Sequence, residues 1–300
     1  MGKFNELLKL IEKESSFQTA TDKIQEFVDN IENADLVELV ENMGVIPESI
    51  EPSSSDEKLF SKASDIVVSR AFQDLNFKAK AISERGNAAD VIVESITNSY
   101  TFVSDAKSFR LSRTAKNQKD FKVDALSKWR GTSDYAVLIA PYFQYPIKSS
   151  QIFEQSLLEN VLLFSWEHLA ILLRRKVEES SANTLEQIWN FPMKYKKRIQ
   201  ASDLQKNYLQ DFNQYFIKQI DVSNDDINLL MQGYVKHIKS RASIEQKYLK
   251  SLKKEIEGYT KKKAVEELLE ARKIPQRQSA IEQFVGSVDN ANNKYFKSSN

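Results

Sequence analysis

The chain has 300 residues, of which 41% are hydrophobic, so it is long enough to bury a core and too apolar to be disordered. It contains no cysteine, which excludes a disulfide framework and a zinc–thiolate site and agrees with the reducing cytoplasm in which we expect the protein. No apolar run approaches the roughly 20 residues that span a bilayer, so we expect no membrane partner.

The formal net charge of +1 conceals a separation of charge along the chain. Residues 1–60 carry 14 acidic and 5 basic side chains (−9), whereas residues 106–130 carry 8 basic and 2 acidic ones (+6). Residues 236–263 carry 10 basic and 3 acidic ones (+7), which we interpret as a solvated helix face. A localised positive segment can neutralise nucleic-acid phosphates without making the whole protein basic.

The predicted elements begin with helices and change to strands near residue 77. Apolar residues recur every three or four positions through the first fifty residues, and Ser54 with Glu57 has capping-box spacing at the start of a stronger helix. Alternating or continuous apolar runs then predict strands, with one helix between them. The predicted ranges are strands 77–83, 89–93 and 100–106, helix 117–130, and strands 135–140 and 160–164.

From about Leu185 the chain is predicted to be almost entirely helical, with two or more helices over 225–274. This order indicates an α/β fold with large helical additions at both ends and no second independent domain. We predict one domain over 1–300, made of a helical segment 1–52, a catalytic core 53–170 and a helical region 171–300.

Two of the predicted strands form a hairpin that gathers charged side chains. If the hairpin centres between Thr97 and Asn98, the residue numbers of each cross-strand pair add up to 195. Asp90 then faces Asp105 on one side of the sheet. Lys107, two residues beyond Asp105, lies on the same side.

Facing carboxylates repel each other, and a divalent cation removes that repulsion. Hard oxygen donors suit Mg²⁺, which acidifies water and polarises a phosphate, while a lysine orients the attacking water and offsets charge on the phosphate. The pattern therefore predicts Asp90 and Asp105 as metal ligands and Lys107 as the third catalytic residue of phosphodiester hydrolysis.

A lone D-x-K triplet is weak evidence in so charged a chain, and Asp120-Phe121-Lys122 is a second one. We favour the first because Asp105 ends an apolar strand and because the basic run begins at Lys107. On the residues alone, three other functions stay open: a repair or recombination nuclease that cuts by DNA structure, a catalytically silent DNA-binding module, and a helical scaffold. The seven glycines form no phosphate-binding loop motif, so we expect no ATP.

The predicted order is helix, three strands, helix and strand, and a D…DxK pattern lies on the second and third strands. This arrangement resembles the PD-(D/E)xK nuclease core, with Ala89 in place of the motif's proline. Longer blocks are similar to a type II restriction endonuclease of this superfamily, and the similarity runs through most of residues 50–220 and fades toward the carboxyl end. The blocks are Ser53-Ser54, Glu57–Ala63, Glu84–Ala88, Asp105–Val123, Asp134–Leu138, Phe143–Pro146 and Asn160–Leu169.

The resemblance implies a homodimer that binds double-stranded DNA at the palindrome AAGCTT. It implies cleavage of each strand after the first A with Mg²⁺, which leaves 5′ overhangs and 5′-phosphates. A two-fold symmetric target suits a two-fold symmetric protein. A separate DNA methyltransferase is the implied functional partner.

Several further residues receive hypothetical roles. Glu57 and Glu84 are candidate supporting carboxylates, although the capping box is an alternative role for Glu57, and His168 is expected to be a core histidine. Asn and Gln suit adenine, Lys suits guanine and Asp suits cytosine, which makes five residues candidates for base reading: Asn117, Gln118, Lys119, Asp120 and Lys122. The candidate phosphate contacts are Arg110, Arg113 and Lys116.

Overall fold

The computed structural model describes residues 2–13, 16–82, 88–113, 118–146, 150–197 and 204–296. The amino-terminal helices are α1 (Lys3–Lys13), α2 (Phe17–Asp29), α3 (Asn33–Met43) and α4 (Ser55–Asp74). The central elements are β1 (Phe77–Ala81), β2 (Val91–Ser95), β3 (Thr101–Ala106), α5 (Gln118–Phe121), α6 (Val123–Trp129), β4 (Tyr135–Ala140), a 3₁₀ turn (Tyr142–Gln144), α7 (Gln151–Glu159), β5 (Val161–Ser165) and α8 (Trp166–Arg175). The remaining helices are α9 (Glu186–Trp189), α10 (Phe191–Lys196), α11 (Leu204–Gln219), α12 (Asn224–Glu257), α13 (Lys261–Ala271) and α14 (Ile274–Phe296).

The amino-terminal helices follow the predicted apolar spacing. In α1 the side chains of Phe4, Leu7 and Ile11 are buried, which places one apolar stripe against the core. The start of α4 is capped as predicted, because the Ser54 hydroxyl accepts a hydrogen bond from the Glu57 backbone N–H at 3.1 Å. The prediction of short helices before residue 50 and a stronger one after it is confirmed.

A five-stranded mixed sheet in the order β1-β2-β3-β4-β5 forms the centre of the fold. The pairs β1–β2 and β2–β3 are antiparallel, whereas β3–β4 and β4–β5 are parallel. Every residue of β4 is buried, as expected of a parallel strand that is covered on both faces. Helices flank the sheet, so the predicted α/β fold class is confirmed.

The predicted helix over 117–130 is wrong at one position. Lys122 adopts a left-handed backbone with φ 50°, which separates α5 from α6. Phe121 and Val123 are both buried, and residues two apart in one helix point to nearly opposite sides. The break therefore lets both side chains enter the core, where Phe121 stacks on Tyr145 at 5.5 Å between ring centroids.

A buried glutamate fixes the turn end of the β2–β3 hairpin. The Glu179 carboxylate, fully buried, accepts hydrogen bonds from the Ser95 hydroxyl at 2.8 Å and the Tyr100 hydroxyl at 2.8 Å. It also accepts from the Asn98 amide at 2.5 Å and the Leu185 backbone N–H at 2.7 Å. Because its partners come from both the hairpin and the later chain, Glu179 holds the hairpin against the rest of the core.

The chain divides into two compact units, residues 1–245 and residues 246–300. The first unit contains the sheet, α1–α11 and most of α12, whereas the second contains the end of α12 together with α13 and α14. The single domain over 1–300, with its catalytic core at 53–170, stays a prediction. Across the described ranges, none of the helices combines the length and apolar character needed to cross a bilayer.

Candidate active site

The hairpin has the register that the sequence predicts. Val91 pairs with Ser104 and Ile92 with Val103, so paired positions sum to 195. Asp90 directly precedes β2 and Asp105 is the penultimate residue of β3, and a hydrogen bond joins their side chains. The fold thus brings together the two carboxyl groups that the sequence assigned to one site.

Burial and mutual repulsion act on this carboxyl pair. Burial, the hydrogen bond that protonated Asp90 donates to Asp105, and the negative charges of Asp65 and Asp105 raise the pKa of Asp90 well above its ordinary range, and Lys107 offsets them only in part. Carboxyl groups whose negative charges repel each other in a partly buried place are candidates for binding a cation.

A third carboxyl group lies beside the pair and was missed at the sequence level. Asp65 in α4 is buried, and burial together with the charge of Asp105 raises its pKa to about 7 against the opposing effect of Lys62 and Lys107. Its signal in the sequence is an acidic residue inside the apolar stretch 63–68 of the helix that precedes the hairpin. The sequence pattern predicts Glu57 and Glu84, and not Asp65, as the supporting carboxylates.

Lys107 lies at the same spot and is held through both its side chain and its backbone. Its Nζ donates to both oxygens of the fully buried Asp105 carboxylate. Its backbone N–H donates to the Ile139 carbonyl at 2.7 Å, and its carbonyl accepts from the Trp166 indole N–H at 3.0 Å. Trp166 is 1% exposed, so this last bond is shielded from water. No pattern in the sequence predicts the Trp166 contact.

The chain after Lys107 is clamped against the end of α3. The Ser108 hydroxyl donates to the Met43 carbonyl at 2.5 Å, and the Phe109 N–H donates to the Gly44 carbonyl at 3.1 Å. A Cβ on Gly44 would lie 3.0 Å from Trp166 Cδ1, closer than side chains normally approach. Glycine at this position therefore permits the close packing that holds the segment after Lys107.

A cleft of about 590 Å³ opens next to this segment, and its lining includes the basic side chains of Lys58, Arg110 and Arg113. Arg110 donates to the Glu57 carboxylate and to the Ile50 carbonyl, and Arg113 pairs with Asp120 and stacks on Phe109. Glu57 also accepts from the Ser53 N–H at 2.6 Å, so it caps α4 and binds Arg110 at once. The cleft lining is Ile46, Ser53, Glu57, Lys58, Ser61, Ser108, Phe109, Arg110 and Arg113.

The candidate base-reading residues are described only in part. Lys119 is exposed in α5, Asp120 is half-buried, and Lys122 is exposed at the break between α5 and α6. Gln118 begins α5, but its side chain lies outside the described residues. So do Glu84, Lys116 and Asn117.

His168 is the core histidine that the sequence predicts. It is 3% exposed, its Nδ1 meets the Ser165 hydroxyl at 2.8 Å, and its Nε2 meets the Asn213 side-chain oxygen at 2.9 Å. Burial lowers its pKa to about 4, against the opposing effect of the Asn213 hydrogen bond. A neutral imidazole with both nitrogens engaged is not available as a metal ligand.

The donor chemistry fits a hard divalent cation. In the part of the chain that the structure describes, no three or more His, Cys, Asp or Glu side chains form a group that could hold a metal ion. Mg²⁺ does not require such a cage, because it is usually bound through one or two carboxylates together with water and substrate phosphate. Asp90 and Asp105 supply those two carboxylates.

Comparison with known proteins extends the similarity well beyond the site. The family model described as HindIII restriction endonuclease matches residues 7–285. Over 291 residues the chain is 48% identical to the type II restriction enzyme HindIII of Haemophilus influenzae, an alignment that covers 96% of this chain and 97% of that protein. The aligned region is therefore wider than residues 50–220.

Proposed function

Since this chain belongs to the HindIII restriction endonuclease family and is a type II restriction endonuclease, we propose that it cuts AAGCTT in double-stranded DNA as a Mg²⁺-dependent homodimer. Each strand is cut after the first A, which leaves a 5′ overhang and a 5′-phosphate. The observation that carries the proposal is the hairpin register, which faces Asp90 with Asp105 beside Lys107.

Asp90 and Asp105 are the residues that would hold Mg²⁺. When bound, the ion supplies stabilisation of the negative charge on the phosphate and lowers the pKa of water. Lys107 donates hydrogen bonds to charge that develops on the phosphate and orients the water molecule that attacks it. The Trp166 indole and the Ile139 carbonyl fix the Lys107 backbone, so the ammonium reaches the site from a rigid strand end.

DNA binding is assigned to the basic cleft and to the chain that follows it. Arg110, Arg113 and Lys116 would contact phosphates, while Glu57 and Glu84 would support the site from its edge. Arg113 and Asp120 pair with each other, so a base contact made by Asp120 would compete with that pair. The residues proposed to read bases are Asn117, Gln118, Lys119, Asp120 and Lys122.

The cellular setting follows from the same function. An enzyme that cuts a six-base-pair sequence would destroy its host's DNA, so we expect a separate methyltransferase that protects AAGCTT. We place the enzyme in the cytoplasm, where that DNA lies, and assign it no ATP and no membrane partner.

Digestion of a plasmid of known sequence tests the proposal. The purified protein is incubated with Mg²⁺ or with EDTA, and the fragment ends are sequenced. We expect ends that begin 5′-AGCTT with Mg²⁺ and intact plasmid with EDTA. Discrete cuts at another sequence would refute the AAGCTT assignment and leave the metal site standing. A folded, DNA-binding protein that never cuts with Mg²⁺ would refute the hydrolytic role.

A further inference from the structure

The loop between α3 and α4 (residues 44–50) runs beside the segment 108–113 that follows the catalytic strand. The Phe109 N–H donates to the Gly44 carbonyl at 3.1 Å, and the Ile46 N–H donates to the Phe109 carbonyl at 3.3 Å. The two stretches therefore pair as a short parallel bridge. A backbone pairing of this kind couples the position of the segment to the position of the loop.

The side chain of Glu48 extends this contact toward the proposed phosphate-binding residues. Its Oε1 accepts a hydrogen bond from the backbone N–H of Ser112 at 3.2 Å. Ser112 lies between Arg110 and Arg113 in the chain, and both arginines line the basic cleft. Because the backbone decides where these two side chains can reach, Glu48 restrains the part of the chain that is proposed to contact DNA.

The negative charge of Glu48 would oppose DNA binding if it acted alone. A carboxylate within hydrogen-bond distance of this segment repels the phosphates that the neighbouring arginines attract. A carboxylate also forms a stronger hydrogen bond with a backbone N–H than a neutral oxygen does. The contact with Ser112 therefore gives a physical reason for an acidic residue here.

The backbone of Glu48 is itself held by a buried ion pair in α12. The Glu48 N–H donates to Oε2 of Glu245 at 2.8 Å, and Oε1 of the same carboxylate accepts from the Arg241 guanidinium at 3.0 Å. Glu245 is 6% exposed and Arg241 is 8% exposed. The Arg241 guanidinium lies 4.9 Å from the centroid of the Phe4 ring. One oxygen of Glu245 is thus fixed by Arg241 while the other holds the loop.

Stability alone explains this ion pair poorly. Taking two charges out of water costs about as much as their attraction returns, so apolar residues of similar volume are often as stabilising or more so. The geometry gives a better reason for the pair, because it places a charged acceptor at the Glu48 N–H. The Arg241–Glu245 pair then acts as a fixed support for the loop.

We propose that Glu48 and Glu245 are positioning residues for DNA binding. Glu245 fixes the backbone of Glu48, and the Glu48 side chain fixes the backbone at Ser112. Arg110 and Arg113 then meet DNA phosphates from a backbone that is already ordered. The inference rests on the proposed DNA contacts of this segment and adds what holds the segment in place.

A segment that is ordered before binding loses less conformational freedom on binding, so its release should weaken DNA affinity. The cleavage rate of bound DNA should not change, because the Lys107 backbone is held separately by Ile139 and Trp166. The proposal therefore predicts a change in affinity without a change in the single-turnover rate.

Variants of Glu48 in the full-length protein test this prediction. With Ca²⁺, E48A is expected to raise the Kd for an AAGCTT duplex about fivefold, whereas E48Q keeps an oxygen acceptor and should stay within about twofold of the wild type. The single-turnover rate with Mg²⁺ at saturating enzyme should be unchanged in both. E51A removes an exposed glutamate near the same loop and is the matched control, expected to bind as tightly as the wild type.

Hydrogen exchange in the DNA-free protein tests the support from α12. R241M/E245M removes both charges together, so no buried charge is left unpaired. Backbone amides of residues 108–113 should exchange about threefold faster or more in this variant and in E48A, but not in E48Q.

Four results would overturn the proposal. They are binding by both E48A and E48Q that is as tight as or tighter than the wild type, equal weakening in E51A, a single-turnover rate that falls as much as the affinity, or a folded R241M/E245M whose exchange at 108–113 is unchanged. A wild type that does not bind AAGCTT would instead refute the proposed target, and hydrogen exchange without DNA would still test the positioning role.

Discussion

The hairpin site holds its charged side chains in buried or half-buried positions, whereas the carboxyl-terminal helix α13 exposes its charged side chains to water. At the hairpin, Asp65 and Asp105 are buried and Asp90 is half-buried, and the negative charge of Asp105 raises the pKa of both Asp65 and Asp90. In α13 the charges are fully exposed, and the apolar residues beside them are exposed as well. The first arrangement is the one for which we propose a bound cation, whereas the second leaves charged and apolar side chains alike in contact with water.

The largest expected effect comes from removing the charge at the buried site. D105N and K107A should each lower the single-turnover rate of DNA cleavage about 1000-fold, because ligand charge and the ammonium both act on the phosphate. Binding of an AAGCTT duplex with Ca²⁺ should change far less than the rate. D22N, on the exposed face of α2, serves as the control. A D105N enzyme that cuts at the wild-type rate would remove Asp105 from the site.

The second prediction concerns pH and the buried core behind the site. His168 has a folded pKa of about 4 against 6.5 for an ordinary histidine, so between these values only the unfolded chain binds the proton. Stability that depends on His168 is therefore present above pH 6.5 and is lost as the pH falls toward 4, by about 3 kcal/mol.

Urea unfolding of the wild type and of H168Q, measured from pH 7 to pH 4, checks this effect. Glu167 titrates in the opposite sense, since burial raises its pKa to about 7, but it is present in both proteins and cancels in the difference. The advantage of the wild type over H168Q should shrink by about 3 kcal/mol across this window. A difference that does not vary with pH would mean that His168 titrates normally.

A smaller effect is expected at the turn end of the hairpin. E179Q keeps the shape of the side chain but turns one acceptor into a donor that faces hydrogen-bond donors. It should lower the free energy of unfolding by about 2 kcal/mol. The exposed E94Q on the same hairpin should change it by less than about 0.5 kcal/mol. Equal losses in the two variants would show that burial at Glu179 is unimportant.

The smallest effect is expected from the bond that positions Lys107. W166F removes the indole N–H and should lower the single-turnover cleavage rate about tenfold, while the affinity for AAGCTT with Ca²⁺ stays unchanged. W189F is the matched control, because Trp189 is equally buried and touches β3 through its ring at 4.9 Å from Phe102. If W189F slows cleavage as much as W166F, the effect belongs to core packing.

The sequence by itself determined most of the elements and the pairing of the two candidate carboxyl groups. Apolar periodicity is a local property, so α1, α4 and the fully buried β4 could be predicted from their own residues. The hairpin register followed from a short connection, which limits how two adjacent strands can pair. These features fixed the positions of Asp90, Asp105 and Lys107 without knowledge of the rest of the chain.

Only the tertiary structure decided which distant residues join them. Asp65 lies 40 residues from Asp105 in the sequence and Trp166 lies 59 residues from Lys107, and no local pattern specifies such contacts. The break at Lys122 also depends on the core, because burying both Phe121 and Val123 is more favourable than continuing a single helix through this position. Packing between elements, which depends on the whole fold, selected these partners.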